Sequence, residues 1–268
     1  MTATARRAFR LLCCAAFLVG AGVAHATDPA RALGQLHHGT LHAQDGAPAD
    51  SPSMAQTEDG WLWFSSRMGL FRYDGFDFQK FPLLPASSNE SEATWQLYAA
   101  PGGDLWVSRA YGGVARVRRE AVTFYGTADG LPDRAAVNEF ATDGDGRLWA
   151  ATEAGYFRFD GTRWNDLSAK APDGEFQQFL EDRRGDLWMV TDSGVFILRK
   201  GADGFVGAGE GFALTQQMML HPDGSLWVRS RDGLRPAPGE WGNPHAFRRP
   251  LNTTSTTTLL DRDGTLWS

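Results

Sequence analysis

The chain has 268 residues, of which 42% are hydrophobic, and it contains 31 glycines and 10 tryptophans. This composition is typical of a globular protein and excludes an intrinsically disordered chain. The formal net charge is −6, which makes nucleic acid an unsuitable partner because an acidic surface repels phosphate. Both cysteines, Cys13 and Cys14, lie near the N-terminus, so the rest of the chain has no thiol for disulfides, catalysis or metal binding.

The first segment, residues 1–26, predicts export. Three arginines precede an apolar run from Leu11 to Val23, and Ala24-His25-Ala26 then provides an A-x-A cleavage site. This order is typical of a secretory signal peptide, and the apolar run is short for a membrane span. We therefore expect a periplasmic protein with a net charge of about −9 after cleavage. An uncleaved membrane anchor is the alternative.

The remainder of the chain is built from a repeat. A Leu-Trp pair recurs with tryptophans 43, 43, 39, 39 and 40 residues apart. The repeated tryptophans are Trp63, Trp106, Trp149, Trp188, Trp227 and Trp267. A glycine lies three positions before each of them, at Gly60, Gly103, Gly146, Gly185, Gly224 and Gly264. A period of this length indicates a propeller or a solenoid.

Each copy predicts four short antiparallel strands. An apolar stretch is followed by an Asp/Gly turn, the Leu-Trp strand, a second glycine turn and two further strands, the last starting at Phe76 or Thr162. Four strands in about 40 residues make one blade of an all-β propeller. A helical repeat is excluded, because no segment keeps an i, i+3, i+4 apolar pattern for ten residues. We interpret the repeated Trp as core that packs between adjacent blades.

Three segments follow from this pattern. Residues 1–26 are the signal peptide, and residues 27–52 are an N-terminal segment in which 36–41 are the candidate ring-closing strand. Residues 53–268 are the propeller, with five blades and the start of a sixth. We expect an incomplete ring to leave an unpaired sheet edge, so that residues 27–268 alone are poorly soluble or open.

The blade motif resembles a known family. Blade one reads Glu58-Asp59-Gly60-Trp61-Leu62-Trp63, followed by Gly69-Leu70-Phe71-Arg72-Tyr73-Asp74-Gly75. This motif resembles the two-component regulator propeller repeat, and the likeness covers everything after the signal peptide. In blades two and five the likeness is weaker, because Pro101 and Pro222 replace the acidic residue.

The resemblance implies the periplasmic sensing part of a membrane receptor. Such receptors continue with more blades, a transmembrane helix and an output domain, most often a histidine kinase, and they act as homodimers. The resemblance therefore implies a truncated sensor whose membrane and output domains are missing from this sequence. It also implies an unknown small-molecule or oligosaccharide ligand.

Known catalytic motifs are missing from the sequence. It has no G-x-S-x-G elbow, no Walker loop, no zinc-binding His pair on a helix and no dinucleotide fingerprint. We therefore predict no catalytic residue, no metal and no cofactor, and no enzyme activity in this chain. Two alternatives remain open: a free exported propeller that binds carbohydrate or protein, and a propeller glycosidase or lyase.

A ligand-binding face is predicted from the variation among the copies. The turn after Leu-Trp joins the second and third strands of each blade, and its side chains differ from copy to copy. Such variation at a fixed position is what a recognition surface shows, although ordinary solvated turns vary as well. The candidate ligand-binding residues are Arg67, Arg109, Tyr111, Glu153, Asp192, Arg231 and Asp232.

Overall fold

The computed structural model describes residues 40–41, 43–85, 87–212, 215–243 and 245, and the backbone of 259–260 and 266–267. The predicted signal peptide, most of the candidate closing strand 36–41, Gly264 and the Trp267 side chain lie outside these residues. Residues 40 and 41 are not in a strand.

The described chain folds as an all-β propeller of antiparallel blades. Each sheet is a meander in which consecutive strands pair. Blade one contains β1 (Met54–Gln56), β2 (Leu62–Ser66), β3 (Gly69–Tyr73) and β4 (Phe78–Phe81). Blade two contains β5 (Thr94–Ala100), β6 (Asp104–Arg109), β7 (Val114–Arg118) and β8 (Ala121–Tyr125). Blade three contains β9 (Val137–Thr142), β10 (Leu148–Thr152), β11 (Gly155–Phe159) and β12 (Trp164–Asp166).

The C-terminal blades have shorter or fewer described strands. Blade four contains β13 (Phe176–Glu181), β14 (Leu187–Thr191), β15 (Gly194–Leu198) and β16 (Val206–Gly207). Blade five contains β17 (Gln217–Leu220), β18 (Leu226–Ser230) and β19 (Gly233–Pro236), and a last pair contains β20 (Leu259–Leu260) and β21 (Leu266–Trp267). Short 3-10 turns lie at Ala43–Asp45, Thr127–Asp129, Ser168–Lys170 and Gly239–Trp241.

The fourth strands begin later than predicted. In blade one, β4 begins at Phe78, whereas the sequence pattern predicted a strand from Phe76. The reason is the Asp74 carboxylate, whose Oδ1 accepts the backbone N–H groups of Phe76 and Asp77 at 2.8 Å each. These contacts close the turn over two further residues, and Phe76 is left 88% exposed. In blade three, the Asp160 carboxylate accepts the backbone N–H groups of Thr162 and Arg163 in the same way.

The core lies between successive blades. Every buried apolar cluster combines side chains of two neighbouring sheets, and a repeated Trp lies in each: Trp63, Trp106, Trp149 and Trp188. These four indoles are at most 4% exposed. Burial of one such side chain stabilises the fold by roughly 2–3 kcal/mol. A blade therefore depends on its neighbour for stability, as expected for a repeat architecture.

The first strands of the blades form the inner wall. Strands β1, β5, β9, β13 and β17 each contact the next one in this series. The outer strands pair only within their own sheet. The turns that join first and second strands therefore lie on one face of the propeller, which we name the first-turn face. Those that join second and third strands lie on the opposite face, the second-turn face.

Candidate ligand-binding face

On the first-turn face, the turns are tied to each other. The Glu58 carboxylate of blade one accepts the backbone N–H of Gly102 in the blade two turn at 3.3 Å. Gly144 of blade three donates its N–H to the carbonyl of Gly185 in blade four at 3.0 Å. The Arg183 guanidinium then donates to the Pro222 carbonyl in blade five. These three contacts join the turns of neighbouring blades on this face.

A buried acceptor below the same turns holds the repeated Trp. The residue six positions before the indole accepts its Nε1–H: Thr57 for Trp63 at 2.9 Å, Asp143 for Trp149 at 2.8 Å and Asp182 for Trp188 at 2.9 Å. The two carboxylates are also buried, at 3% and 7% exposure, and accept turn N–H groups with the other oxygen. This acidic position is therefore structural.

The second-turn face has irregular inner strands. In blades two, three and four, the pairing of the first and second strands slips at the same place, near the start of the first strand. Such a β-bulge leaves an unpaired residue and redirects its side chain. The residues displaced in this way are Trp95, Asn138 and Gln177, and all three are exposed. One polar or aromatic side chain from each of three consecutive blades is thereby presented on the inner wall.

The side-chain amides of Asn138 and Gln177 are available to bind a ligand. Among the described residues, neither Asn138 nor Gln177 has a hydrogen-bond partner for its side chain. Each amide offers two N–H donors and one carbonyl acceptor. Trp95 is 47% exposed, so the face of its ring is open to a ligand. Hydrogen-bonding amides and an accessible aromatic ring on consecutive blades suit a polar ligand with a flat apolar face.

Between blades one and two the second-turn face has a cavity of about 580 Å³. Trp95 and the predicted residues Arg67 and Tyr111 line it, together with Asp50 and Thr94. Tyr111 is 72% exposed, and the Arg67 side chain is 91% exposed. The volume of this cavity is within the usual range for small-molecule sites.

The floor of this cavity is fixed by hydrogen bonds. The Asp50 carboxylate accepts the Ser66 hydroxyl at 2.8 Å and lies 3.5 Å from Nε of Arg67. The Thr94 hydroxyl donates to the Ser66 and Gly69 carbonyls at 3.3 and 3.0 Å. The Thr94 contacts join blade two to blade one, whereas the Arg67 side chain is 91% exposed. The cavity thus combines a rigid floor with a cation and two aromatic rings.

The structure separates the seven predicted ligand residues into groups. Arg67 and Tyr111 share the cavity, but Arg109 is held by Glu90 at 2.7 Å and by the Ser91 carbonyl at 3.3 Å. Asp192 accepts the backbone N–H of Glu175 at 2.7 Å and so closes a loop. The other predicted residues are exposed in their turns and do not line the cavity: Glu153, Arg231 and Asp232.

The sequence pattern did not predict Trp95, Asn138 and Gln177 as site residues. They were overlooked because they lie in the first strand, where the repeat contains no invariant residue. Trp95 had one usable signal, since it is a tryptophan outside the Leu-Trp series. The bulges themselves leave no sequence signature.

The described residues include neither a candidate membrane span nor a candidate metal site. No described helix has the length and apolar character needed to cross a bilayer. Within the same residues, no group of three or more His, Cys, Asp or Glu side chains is placed to hold a metal ion.

No protein-family model matches the chain, and no curated protein matches it by sequence. Solved structures do match. The extracellular domain of BT3049 from B. thetaiotaomicron, described as a hybrid two component system, superposes with a TM-score of 0.65 at 16% identity, over 85% of this chain and 33% of that one. The extracellular domain of BT4673, given the same description, matches with a TM-score of 0.61 at 18% identity, over 80% and 33%.

A third match is to an enzyme. Virginiamycin B lyase from Staphylococcus aureus superposes with a TM-score of 0.54 at 11% identity, over 69% of this chain and 66% of that one. The chain spans about a third of the two extracellular domains. At these identities the matches establish the fold alone, so the chain is similar in architecture to the extracellular domains of BT3049 and BT4673 and to virginiamycin B lyase.

Proposed function

We propose that this chain is the ligand-sensing propeller of a two-component-type receptor, exported to the periplasm. The observation that carries the proposal is the superposition on the extracellular domain of BT3049 over 85% of the chain. The predicted signal peptide and the blade motif agree with this role. In the proposed receptor, further blades, a membrane helix and a histidine kinase follow in the complete protein, which acts as a dimer.

The ligand surface in this proposal is the second-turn face. On this face Asn138 and Gln177 have side-chain amides without a partner among the described residues, and the Arg67 side chain is 91% exposed. Trp95 and Tyr111 add exposed aromatic faces. Amides recognise hydroxyl groups, aromatic rings stack on the apolar faces of sugar rings, and a guanidinium pairs with a carboxylate or sulfate. We therefore propose an oligosaccharide as the ligand, with an acidic group near Arg67.

Signalling in this proposal is a shift between two arrangements of the blades. Trp95, Asn138 and Gln177 belong to three different blades. A ligand that contacts all three binds one arrangement better than another, and this difference in affinity is what shifts the equilibrium. Because each core cluster joins two blades, such a shift passes through packed side chains rather than through loops.

The proposal is tested by binding measurements on the full chain. The probes are acidic oligogalacturonides and neutral cello-oligosaccharides of two to eight units, with calorimetry and tryptophan fluorescence as readouts. We expect Trp95→Ala and Tyr111→Ala each to weaken binding by about tenfold, because loss of a stacked ring costs roughly 1–2 kcal/mol. Phe76→Ala is the matched control, since Phe76 is an exposed aromatic residue on another turn.

Each outcome is decisive for part of the proposal. Preference for the acidic probe that disappears in Arg67→Ala, but not in Arg119→Ala, supports an anionic group beside Arg67. Equal binding of both probes removes the acidic group from the proposal. Binding unaffected by Trp95→Ala moves the site away from the second-turn face, and no binding of either probe rejects saccharide recognition.

A further inference from the structure

Neighbouring inner strands are joined by side-chain clamps at one register position. At three of the four junctions between blades one to five, the residue before the apolar residue of the first strand accepts a backbone N–H from the first strand of the next blade. Between blades two and three, the Ser108 hydroxyl accepts the Val137 N–H instead. Ser53 accepts from Leu97 at 3.0 Å, Glu139 from Phe179 at 3.1 Å and Gln178 from Met218 at 2.7 Å. The three acceptors differ in chemistry, since they are a hydroxyl, a carboxyl group and an amide.

The amide clamp makes two bonds. Besides accepting the N–H of Met218, Gln178 donates its Nε2–H to the carbonyl of the same residue at 3.0 Å. Both bonds are possible because the N–H and C=O of a strand residue point to the same edge. Blades four and five are thus joined by a closed pair of hydrogen bonds.

Glu139 occupies the position on β9 that Gln178 occupies on β13, but the two side chains differ in the protons that they can donate. Its Oε2 accepts the N–H of Phe179, so the Phe179 carbonyl lies on the same edge, as the Met218 carbonyl does beside Gln178. An ionised carboxylate has no proton to offer this carbonyl, whereas a protonated carboxyl group has one. The protonated form is a close mimic of glutamine, and the ionised form brings a charge towards a carbonyl oxygen.

We propose that Glu139 is a proton-operated clamp between blades three and four: protonated, it binds both the N–H and the C=O of Phe179, and ionised, it keeps the N–H alone. This proposal does not depend on the identity of the ligand. It goes beyond ligand sensing, because it makes the cohesion of two inner strands depend on pH.

The surroundings of Glu139 favour protonation. Burial raises the pKa of Glu139 to about 7, while the Phe179 N–H acts in the opposite direction. The titratable residues on the strands packed around β9 are Tyr98 on β5, Asp104 and Arg109 on β6, and Glu181 on β13. No charged side chain contributes to the pKa shift of Glu139. Glu139 therefore changes charge near neutral pH because of its own burial.

The clamp lies directly behind the ligand-binding face. Glu139 follows Asn138 in the bulged strand, as Gln178 follows Gln177. A change in the clamp therefore moves the strand that presents the bulged amide. Opening of the junction is expected to alter the position of Asn138 relative to Gln177, so that acidic conditions and a bridging ligand favour the same closed arrangement.

The test is hydrogen exchange of the Phe179 amide in the full chain between pH 6 and 8, corrected for the intrinsic pH dependence. We expect its protection factor to fall about tenfold over this range, because exchange requires the junction to open and only the closed junction raises the pKa of Glu139 from 4.5 to about 7. Loss of the proton above pH 6 therefore favours opening by about that factor, although the closed ionised form still holds the N–H. Glu139→Gln is expected to keep the protection constant, and Gln178→Glu to make the Met218 amide pH-dependent as well. Glu181→Gln is the matched control and is expected to leave the Phe179 profile unchanged.

Two results would overturn the proposal. One is a Phe179 protection factor that does not change with pH in the wild-type chain. The other is a Glu139→Gln variant that keeps the wild-type pH profile. If Glu139→Gln does not fold, the clamp is also rejected, because the proposal requires glutamine to fit this position as Gln178 fits its own. Gln178→Glu then measures independently whether a carboxyl group at this register position titrates with the junction.

Discussion

The buried carboxylate of Asp182 gives the sharpest stability prediction. Its Oδ2 accepts the Trp188 indole at 2.9 Å, and its Oδ1 accepts the backbone N–H groups of Arg184 and Asp186 at 2.8 and 3.1 Å. Asp182→Ala removes all three acceptor contacts and leaves a fully buried indole N–H without a partner. A charged hydrogen bond contributes about 1.5–3 kcal/mol, and an unpaired buried donor costs about 1–3 kcal/mol. We expect Asp182→Ala to lower the free energy of unfolding by about 3–4 kcal/mol.

Two variants separate the contributions. Asp182→Asn keeps an oxygen for the turn but places an N–H group against the indole, so we expect an intermediate loss of about 2 kcal/mol. Asp160→Ala is the control, because Asp160 accepts two turn N–H groups in the same way at an exposed hairpin. Urea unfolding of the full chain, followed by tryptophan fluorescence, gives the free energies. Equal losses for Asp182→Ala and Asp160→Ala would refute the reasoning that burial makes the contact strong.

Three further predictions concern glycines, indoles and pH. Gly130→Ala should prevent stable folding, because a Cβ there would lie 2.0 Å from the Trp164 carbonyl oxygen. In Gly60→Ala the new Cβ meets no atom within 4 Å, so a thermal melt should show a loss of only about 1 kcal/mol, caused by the positive φ. In urea unfolding, Trp164→Phe should lower the free energy of unfolding by about 1–2 kcal/mol less than Trp188→Phe. The reason is that the Trp164 indole N–H has no partner among the described residues, whereas the Trp188 indole donates to Asp182. The free energy of unfolding should fall between pH 4.5 and about 7, because the folded chain keeps the Glu139 proton that the unfolded chain has lost. In a pH series of melts, the total fall over this range should be about 1–2 kcal/mol larger for wild type than for Glu139→Gln, a value halved from full linkage for solvent screening.

The sequence predicted the repeat, the blade type and the position of the core. Glycine and Leu-Trp recur because hairpin turns and inter-blade packing impose the same demand on every blade. Trp63, Trp106, Trp149 and Trp188 are indeed packed between sheets. The start of β4 was predicted two residues early, because an aromatic alternation cannot show that Asp74 caps the turn.

The sequence pattern predicted only part of the cavity lining on the candidate ligand-binding face. Variation among turns pointed to Arg67 and Tyr111, which do line the cavity, but it also pointed to Arg109, whose guanidinium is held by Glu90. A bulge depends on how two strands pair, so no single-sequence pattern could have shown that Trp95 is exposed. The Glu139 clamp likewise depends on contacts between blades that the sequence places 40 residues apart.

The most direct test of the sensor proposal is the DNA sequence downstream of codon 268, read over about 3,000 bases, a length that accommodates further blades, a membrane helix and an output domain. The proposal predicts an open reading frame with more Gly-x-Leu-Trp repeats, an apolar segment of about 20 residues and a kinase or related output domain. A stop codon soon after the last blade, with no membrane segment, would contradict the receptor and leave a free exported propeller.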